Sequence, residues 1–170
     1  VSLVLAMGPP GGGRNAISNR FMRYFNFISF PEMSDDSKRS ILKSIMTWGF
    51  QLSKADASLV DCIDPLIEGT LSIFKKCCKN FLPTPAHVHY SFNMRDITRV
   101  FMSLYETDVK DLTNKDTLVK MWMHENLRVF GDRMIDDEDL GAFKGYLHEE
   151  LVEKLGYEQG YESLISRSDR

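Results

Sequence analysis

The hydrophobic period changes at Pro31, and no other feature constrains the fold of this chain so strongly. Before Pro31, apolar residues form short extended runs. Leu3 to Met7 is one, and Phe25-Asn-Phe-Ile-Ser-Phe30, alternating and aromatic-rich, is the second. Both have the pattern of β-strands. After Pro31, apolar residues recur three and four apart, which is the period of a helix. The pattern predicts a mainly α chain: a bundle of about five helices preceded by a short α/β remnant.

The helix boundaries carry chemical signals. Residues 19 to 25 suit a short helix. Ser34, with Asp35 and Asp36 behind it, opens the first long helix, since a hydroxyl caps free N–H groups and acids favour the positive end. Ile41, Leu42, Ile45, Trp48 and Leu52 are expected to face the core from it. A second helix carries Leu59, Ile63, Leu66, Ile67, Thr70, Phe74, Cys77 and Phe81 inward, with Pro65 either kinking it or sitting in its first turn. Leu82-Pro-Thr-Pro85 stops that helix, and a loop or extended segment runs on to Ser91. Asn93 caps a third helix with Ile97, Val100, Phe101 and Leu104 inward. Thr113 and Asp116 have capping-box spacing and start a fourth, through about Asp132. Asp136-Asp-Glu-Asp139 opens a fifth, with Leu140, Phe143, Leu147 and Leu151 apolar. From Gly156 the chain is polar and reads as a linker.

Composition excludes several classes. Of 170 residues, 43% are apolar, enough for a packed core and too many for a disordered chain. A formal charge of −3 lacks the basic excess of a nucleic-acid binder. No apolar run approaches the ~18 residues of a membrane span. Cys62, Cys77 and Cys78 make no even disulfide framework, which points to a reducing, cytosolic setting. The chain opens directly on an apolar run without an initiator Met, as a buried strand exposed by a cut would, so an excised fragment is expected.

The loop from Gly8 to Asn15 imitates a P-loop, with Gly8 and Gly13 at the right spacing. Yet Arg14 stands where lysine should reach phosphate, Asn15 where a hydroxyl should bind magnesium, and two prolines remove backbone donors. A strand-to-helix turn needing glycine is the plainer reading. Arg20 and Arg23, three apart, fall on one side of a short helix, from which an arginine fork can reach an anion on a neighbouring module. Arg95 lies in a first helical turn beside Asp96. It is either half of a local ion pair or a phosphate contact. In Trp122 to Arg133, Trp122 and Val129 read as core, and Arg128 has the spacing to pair with Asp132. His124-Glu125 lacks the second histidine of a metalloprotease. His87 and His89, with adjacent Cys77 and Cys78, lack zinc spacing, so no metal site is expected. No nucleophile with a base and an orienting group stands out.

Taken in order, Ala6-Met-Gly-Pro-Pro-Gly-Gly-Gly-Arg-Asn15, Arg20-Phe-Met-Arg-Tyr-Phe-Asn26, Leu82-Pro-Thr-Pro-Ala86, Phe92-Asn-Met-Arg-Asp96 and Trp122-Met-His-Glu through Arg133 resemble dynein heavy chains. The likeness is to the third AAA+ module, and its glycine-rich first stretch is similar to the axonemal type. The resemblance implies that residues 1–31 end the large α/β subdomain, 32–152 form the small helical lid, and 153–170 lead toward the next module. It implies an arginine finger at Arg20, with Arg23 the second choice, reaching the preceding module's nucleotide. It implies nucleotide contacts from Arg95 at the sensor-2 position and from the sensor-1 region. There Gly8 stands where related modules carry Asn, with Asn15 a displaced substitute. It further implies ATP or ADP with magnesium in the whole protein and no cofactor for the fragment alone, which lacks Walker A and Walker B and should not hydrolyse ATP. Implied partners are the neighbouring AAA+ modules, the microtubule, and dynein intermediate and light chains, with no nucleic acid and no membrane. The implied setting is cytoplasm and cytoskeleton, including the axoneme of a cilium or flagellum. The competing reading is a stand-alone helical interaction scaffold with no nucleotide role.

Overall fold

The computed structural model describes residues 2–8, 15–107, 112 and 114–157. It divides into two compact units, Val1–Glu32 and Met33–Arg170. Among the described residues there are helices and no strand.

The second unit is the bundle. It contains α2 (Asp35–Leu52), α3 (Ala57–Val60), α4 (Ile63–Asn80), α5 (Met94–Glu106), α6 (Lys115–Val129) and α7 (Asp137–Leu155). A 3-10 turn, Gly131–Arg133, joins the last two. The starts follow their caps. Ser34 accepts from the Ser37 N–H. Asn93 and Asp96 form a complete capping box on α5. Pro65 sits in the first turn of α4, where no helical N–H is needed. The cap of α6 is Asn114, accepting from Thr117 N–H at 2.9 Å. Thr113, the expected cap, lies outside the described residues. The helix also ends at Val129, sooner than expected, and the 3-10 turn follows. Gly156, at φ 77°, closes α7 in the left-handed region that glycine enters freely.

α4 packs against α7 and α2, and α5 packs against α6 and α2. The core runs through all of them. Leu66, Ile67, Ile73, Ile97, Val100, Leu104, Trp122, Phe143 and Leu147 are wholly enclosed. Of the residues expected inward from α4, only Phe74 remains half-exposed.

α2 departs from expectation. Its buried residues are Leu42, Met46, Gly49 and Phe50. Of the expected inward set only Leu42 is buried; Ile41, Ile45, Trp48 and Leu52 are exposed. The helix has apolar residues on two sides, and packing chooses the side carrying glycine. A Cβ on Gly49 would sit 3.3 Å from Tyr105 of α5, so the missing side chain is what lets α5 approach there.

The first unit contains α1 (Asn19–Met22) and otherwise irregular chain. No described residue before Leu42 is buried. The strands expected at 3–7 and 25–30 are not formed. A strand exists by hydrogen-bonding to a neighbour, and these two segments do not pair with each other. Their side chains instead line an open apolar groove of about 590 Å³.

Candidate functional site

The strongest candidate is a basic cleft of about 370 Å³ at the start of α5. The chain reaches it through the loop after α4. Tyr90, buried in that loop, donates its hydroxyl to Asp139 at 2.8 Å and accepts from Ile135 N–H at 3.2 Å. His87 Nε2 lies 3.2 Å from Asp136. The loop is thereby fastened to the junction before α7, and the next residues enter the cleft at a fixed place.

Asp96 organises this cleft. It is 1% exposed. Its Oδ2 accepts from Asn93 N–H at 2.9 Å, as the capping box requires. The same carboxylate receives both ends of the Arg133 guanidinium, with Nη1 to Oδ2 at 3.1 Å. Arg99 approaches it at 3.7 Å. Arg133 also donates to the Ser91 carbonyl at 3.3 Å, and His89 Nε2 meets the Arg133 carbonyl at 2.8 Å.

Arg95 lines the same cleft and is exposed. The local ion pair with Asp96 is not made, because Asp96 is occupied by the cap and by Arg133. Among the described residues no carboxylate pairs with Arg95. Three arginines thus face one carboxylate in the cleft, and the surplus charge suits an anion. Asp96, Arg99 and Arg133 were not among the expected site residues. The spacing Asn93-x-x-Asp96 held the signal: a carboxylate at that position turns back to its own helix cap and is unavailable to the residue beside it.

The other expected residues lie in the first unit. Arg20 is exposed on α1 and has no partner among the described residues. Arg23 donates to the Tyr24 hydroxyl at 2.7 Å, with its guanidinium 4.6 Å from that ring. Gly8 and Asn15 border the stretch 9–14, and Arg14 lies outside the described residues.

Elsewhere the polar groups hold structure. Arg128 pairs with Glu125 at 2.6 Å, where Asp132 was expected. Burial pushes the Glu125 carboxyl up, but hydrogen bonds from Arg128 and Ser103 outweigh it and hold the group below the ordinary glutamate range. His87 and His89 turn to different partners, and Cys77 is buried in the core with its thiol pushed up to about 12 by desolvation. A second cleft, about 290 Å³, has cations and carboxylates in near balance, with Lys76 held by Glu149 and Glu150. Among the described residues no helix is long and apolar enough to cross a membrane.

Comparison with known proteins decides the family. A family model described as dynein heavy chain, ATPase lid domain, matches residues 39–140, more than half of the chain. The chain belongs to the dynein heavy chain family. A second model, P-loop containing dynein motor region, matches residues 1–33. The dynein axonemal heavy chain 1 of Rattus norvegicus is 41% identical over 92% of this chain and 4% of its own length. The dynein axonemal heavy chain 12 of Mus musculus is 39% identical over 82% of the chain and 4% of its own. The dynein axonemal heavy chain 3 of Homo sapiens is 41% identical over 83% of the chain and 3% of its own. This dynein sequence therefore spans only about one twenty-fifth of the relatives it matches. The ATPase lid match falls on the bundle, and the cleft with Arg95 lies inside it.

Proposed function

We propose that this chain is the responding side of an ATP site in an axonemal-type dynein motor: the lid of the third AAA+ module with the end of its large subdomain. Residues 1–31 belong to the large subdomain, 32–152 to the lid, and 153–170 lead toward the next module. The observation that carries this reading is Arg95, a cation exposed in a basic cleft whose one carboxylate is already engaged.

The donor set fits the phosphate end of a nucleotide. Arg95 would meet the γ-phosphate of its own module, and Arg99 and Asn93 border the same space. Bound to the whole protein with magnesium, ATP would supply a phosphoryl group whose charge these cations stabilise. A fixed arginine beside a transferring phosphoryl group offsets its charge without reorganising. Arg20, exposed and unpaired among the described residues, is the first choice for a finger toward the preceding module. Arg23, engaged with Tyr24, is the second. Gly8 and Asn15 would border the nucleotide from the sensor-1 region. Because Arg95 sits on the lid, its grip on phosphate ties nucleotide state to lid angle, and ring neighbours feel the change. The partners that follow are the adjoining AAA+ modules, then the microtubule and the intermediate and light chains of the whole motor, on the cytoskeleton of an axoneme.

The test uses the complete heavy chain with hydrolysis confined to this module's own site. Arg95→Ala is expected to lower turnover there about a hundredfold, the scale of losing one preorganised donor to developing charge. Unchanged turnover and an unchanged lid response would overturn the sensor role.

A further inference from the structure

We infer that Arg133 is a positioning residue for Arg95: through Asp96 it fixes the first turn of α5, and with it the direction in which Arg95 enters the cleft. The inference rests on the reading of Arg95 as a phosphate contact. Arg133 comes from the turn after α6, far along the chain, yet its fork closes on both oxygens of Asp96. Its Nη1 also reaches the Ser91 carbonyl, on the segment that leads into the helix. The guanidinium lies 5.9 Å from the Phe92 ring. His89 meets the Arg133 carbonyl at 2.8 Å, so the turn that carries the fork is itself tied to the entering segment. One side chain therefore clasps the chain on both sides of the Asn93 cap.

That clasp acts where a helix is otherwise loosest. The first turn has free N–H groups and no preceding turn to hold it. Asn93 and Asp96 satisfy two of those donors but do not set the tilt of the turn against the rest of the bundle. Arg133 does, because it is anchored outside α5. Arg95 directly precedes Asp96 and extends into solvent, so a small rotation of this turn moves its guanidinium far. Stability alone is a poor reason for the pair. A buried ion pair loses much of its attraction to desolvation, and apolar residues of equal volume often stabilise as well or better. Orientation is what a bidentate fork adds, and lysine, a point charge, does not supply it.

The experiment measures ATP and ADP affinity in the complete heavy chain with nucleotide binding confined to this module, alongside thermal unfolding. The variants are Arg95→Met, Arg133→Met, Arg133→Lys, Asp96→Asn and the double variant Arg95→Met with Arg133→Met. Arg95→Met is expected to reduce the preference for ATP over ADP about tenfold, since the lost contact is to the terminal phosphate. Arg133→Met is expected to reduce it by a similar factor, and the double variant no further than Arg95→Met alone. Arg133→Lys should fail to restore the preference. If Arg133→Met does not fold, Arg133→Lys and Asp96→Asn carry the same comparison; Asp96→Asn keeps an oxygen for the Asn93 N–H. Additive losses, or a loss of stability with the preference intact, would overturn the positioning role while leaving Arg95 as the sensor. An unchanged preference in Arg95→Met would overturn the sensor reading and this inference with it.

Discussion

Thr70 joins two helices with one oxygen. Its hydroxyl donates to the Leu66 carbonyl at 2.8 Å and accepts from the Trp122 indole N–H, also at 2.8 Å. Both side chains are wholly buried, so the indole has no access to bulk water. Thr70→Val keeps the shape and removes the acceptor. It is expected to cost about 2 kcal/mol, the penalty for a buried donor left unmet. Urea unfolding checks it: the midpoint should fall with the slope unchanged. A shift within error would mean that the indole finds another acceptor. Trp122 was legible as core from its spacing, but its partner was not, since the two residues are 52 apart in sequence. The same limit applies to charges. Spacing allowed Arg128 to choose Asp132 as readily as Glu125, and burial decided: Glu125 is 4% exposed and must be paired, while Asp132 is exposed. Arg95 could be put forward from motif order alone; the fork of Arg133 on Asp96 could not, because it joins residues 37 apart in sequence.

At the scale of the element, caps were legible and faces only partly so. Ser34, Asn93 and Pro65 mark starts through local chemistry, and the structure uses all three there. The inward faces of α4, α5 and α7 follow from one dominant apolar stripe on each. α2 has two stripes, and the larger, branched and aromatic one is outside. The choice depends on a glycine contact with α5, which no local pattern records. This register is testable by substitution. Met46→Ala, at a fully enclosed site, should destabilise the bundle by about 3 kcal/mol. Trp48→Ser, at a site 59% exposed, should change stability by no more than about 0.5 kcal/mol in the isolated chain. The reverse order of effects would put the wrong face inward.

Across the whole molecule, the two units differ in how much of their structure is their own. The bundle from Met33 encloses a core, and its family match was expected from the order of its motifs. In the unit before it no described residue is buried, and its two strand-patterned segments lack the paired neighbours a strand needs. The strand pattern in Leu3–Met7 and Phe25–Phe30 was read from side chains; the backbone partners a strand needs are not written in it. If Arg95 binds phosphate from the lid, nucleotide must move the lid through it. The direct measurement is a fluorescence distance, in the complete heavy chain, between α7 of this lid and the P-loop-bearing subdomain of the same module. Saturating ATP should shorten that distance in the unmodified chain and leave it unchanged in Arg95→Ala. A full shortening in Arg95→Ala at saturating ATP would contradict the account.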